Sequence, residues 1–377
     1  MERKKYKLSD LLTIKNGRDY KHLEEGNIPV FGSGGYMLSR SSFLYDKPSI
    51  LLPRKGTLSN IQYYNKGKFW TVDTCFYSII NDELCDGYYL YRYLRNLDLS
   101  RYDTGASIPS MTQKTYNKIK VFLPSLPTQQ KISSILSSYD RLIENNTRRI
   151  RLLEQMAENL YKEWFVRFRF PEHEKVEMVN GLPKGWERTV ASSIIDVMSG
   201  GTPKTDHPEF YGGNIPFYTP KDANDSIFVY NTLTNITEEG LTHCNSQLYP
   251  RNTLIITARG TVGKLNLLAV PMAMNQSCFA LQFKQKENPF FLYYAIRTEI
   301  AKLKKIANGG VFDTIVVKSF DHIKLIIPTR SLMDNFNLKV YSILEQVRNL
   351  SYQNQLLTHQ RDLLLPRLMS GKLEVKS

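Results

Sequence analysis

Two short stretches hold the side chains best suited to chemistry on a polyanion. "PRKGTLSN" places Arg54, Lys55, Thr57 and Asn60 in a turn directly after the apolar run "SILL", and "ARGTVGK" places Arg259, Thr261 and Lys264 after "TLIIT". Arginine suits guanine edges, whereas lysine and threonine suit phosphates. Gly56 and Gly260 allow a backbone to approach closely. A second pair of loops adds candidates: "DTGASIPSMTQK" offers Ser107, Ser110, Gln113 and Lys114, and "NGGVFDTIVVK" offers Asp313, Thr314 and Lys318. The flanks of these loops agree while their tips differ, which is what two readers of different sequences require.

Catalytic chemistry is not suggested. "ARGTVGK" has Ala258 where a phosphate-cradling loop needs its first glycine. "GSGGY" at 32–36 reads as a plain glycine-rich turn, and "ENPFF" at 287–291 matches the motif of amino-methyltransferases only weakly. No Ser/His/Asp or Cys/His set and no paired carboxylates are indicated. The four cysteines (Cys75, Cys85, Cys244, Cys278) and six histidines lack metal-ligand spacing. The cysteines read as reduced thiols of a cytoplasmic protein. No run is apolar enough to span a bilayer, and "MERKKYKLSD" lacks a signal peptide's apolar core, so no membrane role is expected.

The net charge of +14 favours nucleic acid as a partner. It is uneven: residues 1–127 carry 19 basic against 12 acidic side chains, residues 186–328 carry 14 against 12. The first part is therefore expected to supply more of any salt-dependent attraction.

These loops recur because the chain is written twice. "SILLPRKGTLSN" (49–60) matches "TLIITARGTVGK" (253–264), and "GASIPSMTQKTYNKIKVFLP" (105–124) matches "GGVFDTIVVKSFDHIKLIIP" (309–328), both displaced by 204 residues. "GNIP" recurs at a displacement of 187, so the second copy holds an insertion of about 17 residues, expected as loop and strand within 217–250. Each copy predicts a sheet-rich globular part, a short helix (88–96; 290–306), a strand ending in Pro124 or Pro328, and a long helix.

The first long helix is expected from about Thr128 to Trp164, with a seam of Ile132, Leu136, Tyr139, Ile143, Asn146, Ile150, Leu153, Ala157, Leu160 and Trp164. The second repeats the rhythm from Phe336 to Leu368, with Asn354 in its seam, and Pro366 is expected to end or kink it near Leu365. Asn146 is fifth of ten and Asn354 sixth of ten, so antiparallel pairing sets one amide against the other. An asparagine opposite leucine would leave buried donors unpaired at about 1–3 kcal/mol. The amides are thus expected to fix register as mutual partners. Such pairing would relate the two copies by a pseudo-twofold axis and set the globular parts at opposite ends.

"IKVFLPSLPTQQKISSILSSYDRLIENNTRRIRLLEQMAENLYKEWFVRFRFP", "GLPKGWE" and the C-terminal "LLPRLMSGKLEV" together resemble the specificity subunit of type I restriction–modification enzymes, over nearly the whole chain. One departure is that the first half starts at "YKLSDLLTIKNG" with no "LPKGW" of its own. The resemblance implies an α+β protein: target recognition domain 1 (1–127), spacer helix 1 (128–164), a linker (165–185), target recognition domain 2 (186–328), and spacer helix 2 with a tail (329–377). It implies a non-catalytic subunit that binds a split double-stranded DNA target and docks two methyltransferase subunits, with two restriction subunits joining. S-adenosylmethionine, ATP and Mg would belong to those partners, and no cofactor to this chain. A helix of about 37 residues spans roughly 55 Å. Half-sites about 10 bp apart centre to centre would leave an unread gap of about 5–8 bp. A methyltransferase fragment acting alone and a coiled-coil scaffold binding only proteins are the competing readings.

Overall fold

A computed structural model describes residues 2–103, 105, 108–306 and 314–375. The chain forms two compact units, Met1–Glu144 with Leu356–Ser377, and Asn145–Gln355.

In the first unit the strand Lys4–Lys7 pairs antiparallel with Lys120–Leu123, tying the start of the globular part to its end. This pairing anchors a terminus that has no "LPKGW". A four-stranded sheet runs in the order Leu12–Lys15, Cys75–Ile80, Ser49–Pro53, Gln62–Tyr64. A three-stranded sheet runs Gly35–Arg40, Ile28–Gly32, Trp70–Thr71. The strand Ser49–Pro53 is buried along its whole length because both faces are covered. Alternation sends Ile50 and Leu52 into the core beneath the helix Gly87–Arg95, while Leu51 joins Phe31 and Phe69 on the other face. That helix is the expected one, and its start is capped by Asp86, which accepts the Tyr89 N–H at 2.8 Å.

The second unit repeats the plan. Glu187–Val190 pairs with Lys324–Ile327. The main sheet runs Ile195–Ser199, Cys278–Phe283, Leu254–Thr257, Leu265–Leu268, Phe228–Val229. Leu254 and Ile256 face one core and Ile255 the other, as in the first copy. The insertion expected within 217–250 holds the strands Phe228–Val229 and Asn235–Ile236, and also a short helix, Glu238–Thr242, capped by Thr237. Within 165–186, Phe165, Phe170 and Trp186 are buried against this unit's core, and a hairpin of Met178–Val179 with Leu182–Pro183 turns at Asn180 and Gly181. Both turn residues have positive φ, which Asn-Gly tolerates best.

The long helices span Leu126–Tyr161, extended by a π-helical turn at Lys162–Val166, and Arg330–Ser370. Each contributes one stretch to each unit, and within each unit they run antiparallel. In the second unit Trp164 lies 6.0 Å from Phe336 at one end, and Asn146 meets Gln353 at the other. In the first, Asp140 meets Arg361, and Ile132 and Leu136 share a core with Leu368 and Met369.

Two details differ from expectation. The seam amides are not each other's partners: Asn146 Nδ2 donates to Gln353 Oε1 at 3.5 Å, and Asn354 Nδ2 to Thr147 Oγ1 at 3.3 Å. Each amide reaches the residue beside its counterpart, and Asn354 Oδ1 is buried without a partner among the described residues. Pro366 does not end its helix, which continues to Ser370. A helix-interior proline costs about 3 kcal/mol. Burying Leu368 and Met369 in the first unit's core returns a comparable amount, at about 1.5–3 kcal/mol per large side chain.

Candidate nucleic-acid interface

In the first unit the predicted loops converge. Arg54 N–H donates to Thr74 O at 2.8 Å and Met111 N–H to Arg54 O at 3.0 Å. Gly56 N–H donates to Pro109 O at 2.9 Å, and Lys55 bridges Ser110. The backbone thus welds 54–56 to 109–111, leaving the side chains of Arg54, Lys55, Thr57 and Lys114 exposed. Arg54 lies over the Phe76 ring at 5.9 Å and reaches the Asp73 carbonyl at 3.4 Å. Asn60 serves position, its Nδ2 donating to Ser33 O at 2.7 Å, so the glycine-rich turn belongs to the same rim. Gln113 Nε2 donates to Asn16 Oδ1 at 3.0 Å. Ser107 lies outside the described residues.

The second unit repeats two of these bonds. Ala258 N–H donates to Ser277 O at 2.8 Å, and Ile315 N–H to Ala258 O at 2.9 Å, so the loops carrying Arg259 and Thr314 adjoin. Arg259, Thr261, Thr314 and Lys318 are exposed. Thr261 Oγ1 donates to Pro220 O at 3.2 Å, as Asn60 does to Ser33 in the first unit. Lys264 is ion-paired with Asp225 of the insertion; its hydrogen bond and charge hold that carboxyl below the usual range. Its charge is therefore partly neutralised. Asp313 lies outside the described residues.

Two further elements of the rim were not read from the sequence. Loops follow the strands Leu12–Lys15 and Ile195–Ser199, and each passes so close to a neighbouring turn that only glycine fits. A Cβ on Gly17 would sit 2.0 Å from Val72 O, and one on Gly200 would sit 2.2 Å from Met274 O. Arg18 N–H donates to Thr71 O at 2.8 Å and Gly201 N–H to Met274 O at 3.1 Å. These loops bring Asn16 and the exposed Arg18 beside the first rim, and Thr202, bonded to Gln276, beside the second. The signal was present as a fourth repeated block, displaced by 183 residues where the others are displaced by 187 and 204.

Nucleophilic chemistry has no support here. Burial pushes the thiols of Cys75, Cys85 and Cys278 up to about 12, and no cluster among the described residues could hold a metal. Among those residues, no helix is long and apolar enough to cross a membrane.

Two copies of a sheet frame, each with exposed Arg, Lys and Thr side chains on the loops beside its strands and each joined to paired long helices, form the architecture of a DNA-reading protein class. Residues 2–155 and 183–358 match the family of type I restriction modification DNA specificity domains, and the chain belongs to that family. Its role is that of the family: sequence recognition for a multisubunit restriction–modification enzyme, without catalysis of its own. It is 27% identical over 330 residues to the HindI specificity subunit of Haemophilus influenzae, covering 71% of this chain and 72% of that one. It is 26% identical over 345 residues to the MjaIX specificity subunit of Methanocaldococcus jannaschii, covering 88% and 79%. The fold is similar to that of the type I S subunit from M. genitalium, with a TM-score of 0.69, 17% identity, and 97% and 96% of the two chains covered.

Proposed function

We propose that each unit reads one half of a split double-stranded DNA target, with an unread gap of about 5–8 bp between the halves. One observation carries this reading. Two backbone bonds recur, through Arg54 and Met111 in one unit and through Ala258 and Ile315 in the other, while the side chains along the repeated blocks differ. A rigid frame with changed tips serves two different sequences. Arg54, Lys55, Thr57, Ser107, Ser110, Gln113 and Lys114 read or grip one half. Arg259, Thr261, Lys264, Asp313, Thr314 and Lys318 serve the other.

The long helices dock two methyltransferase subunits, and two restriction subunits complete the complex in the cytoplasm. Exposed apolar side chains along them, including Leu142, Met156, Leu338 and Leu363, support a protein-binding role. Mapping methylated motifs in the host genome with and without this gene tests the proposal. The expected result is a motif of two short blocks separated by unread positions that disappears with the gene. A single uninterrupted block refutes the split target.

A further inference from the structure

The first unit's rim carries a feature that contact between polar tips and bases does not use. Ile108 is 60% exposed, and Pro109 beside it is also exposed. The described residues of this tip are tied down by backbone hydrogen bonds. The Asp103 carboxylate accepts two backbone N–H groups, from Gly105 and Ser110, each at 2.8 Å. Gly56 N–H holds Pro109 O from the other side. Gly105 admits no side chain, since a Cβ there would sit 1.9 Å from Ile108 O. Exposed cations lie on the neighbouring chain: Arg54 and Lys55 on the segment bonded to this tip, and Lys114 a few residues on.

An exposed apolar side chain on a bonded tip, next to a segment that carries exposed cations, matches duplex DNA, a polyanionic ladder whose apolar surface lies between its stacked bases. Branched apolar residues of this kind separate base steps and kink the duplex by about 20–90°. The sequence 204 residues on has Phe312, again large and apolar.

We propose that Ile108 is a wedge that enters the base stack of the half-site bound by the first unit. Part of that unit's sequence preference then arises from how readily one step unstacks, at a position no polar side chain reads. Pyrimidine–purine steps open most easily and are favoured there. This rests on the split-target reading above.

The test uses the full chain in complex with its methyltransferase subunits and a duplex bearing the mapped motif, with 2-aminopurine placed at successive positions. Wild-type complex is expected to raise fluorescence at one step and to bend the duplex in a phasing assay. Ile108→Ala should abolish both signals and weaken motif binding by about tenfold, a factor equivalent to ~1.4 kcal/mol, with the salt dependence unchanged because no charge is removed. Ile108→Phe should keep the bend. Fluorescence that stays flat at every step, or an Ile108→Ala complex that bends and binds as wild type does, overturns the wedge while leaving the split target standing. Loss of methyltransferase co-purification in Ile108→Ala assigns the tip to a protein contact and overturns it too. A wild-type complex with no motif preference overturns both readings.

Discussion

Asp140 receives three hydrogen bonds. Tyr88 Oη donates to it at 2.5 Å, Arg361 Nη1 at 2.7 Å, and Arg92 Nη2 completes the set. The carboxylate thereby joins both long helices and the helix Gly87–Arg95 within the first unit. The Arg92 side chain is only 7% exposed, so removing its anion strands a buried cation. Breaking one side of a buried pair costs about 3–5 kcal/mol. Because Arg361 keeps Asp362, the lower part of that range applies, about 3 kcal/mol for Asp140→Ala. Asp140→Asn, which still accepts hydrogen bonds, should lose about 2 kcal/mol. For a cooperative unit of this size, 3 kcal/mol corresponds to about 6–12 °C in Tm.

Burial, the largest single influence, pushes the Asp140 pKa up, but the bonds from Tyr88 and Arg361 and the charge of Arg92 outweigh it, and the net shift is downward. A carboxylate lowered on folding contributes stability that is fully present above its unfolded pKa of about 3.9. That contribution is lost as pH falls through the folded value. The gap between wild type and Asp140→Ala should therefore be flat from about pH 5 to 8 and close below about pH 4. Calorimetry gives the gap, and hydrogen exchange locates it: peptides from 87–95, 126–144 and 356–370 should exchange faster, and those from 254–283 should not. A double-mutant cycle with Arg361→Ala should give coupling of at least ~1 kcal/mol. Additive losses, or a gap that persists undiminished at pH 3, would refute the reasoning.

Other outcomes follow from the rims. Arg54→Ala should cost about 1–3 kcal/mol and relax one position of one half-site, while Lys55→Ala should weaken all sequences alike and reduce the salt slope by about 0.9; competition binding at several salt concentrations separates them. Asp225→Ala should free Lys264 and tighten binding, while Lys264→Ala should change it by less than ~1 kcal/mol because the lysine is already paired. Gly200→Ala drives a Cβ into the Met274 carbonyl and should destabilise the second unit by about 1–3 kcal/mol, with the methylated motif degrading in one block only. Asn146→Leu alone should leave Gln353 without its amide and lower stability, whereas Asn146→Leu with Asn354→Leu should exceed wild type by about 1 kcal/mol in urea titration.

The frame was legible because each of its causes is periodic. A seam alternating steps of four and three fixed the helices, and the displacement of 204 residues located the sheets and both principal loops. The loops carrying Asn16 and Thr202 escaped because insertions change the displacement along the chain. The partners of Asn146 and Asn354 escaped for another reason: seam position tells which residues face one another, but side-chain reach decides which atoms meet. The neutralisation of Lys264 by Asp225, 39 residues away on the insertion, has no local trace at all. Pro366 shows local preference yielding to a core that the sequence does not display next to it.

The division of the chain bears on the order of its assembly. Asn145–Gln355 is one unbroken stretch, whereas the first unit closes its core with Leu364, Leu365, Leu368 and Met369 from the far end. During synthesis from the N-terminus, the half made first therefore lacks these four side chains of its core until the last helix emerges, and the half made second is free to mature before it.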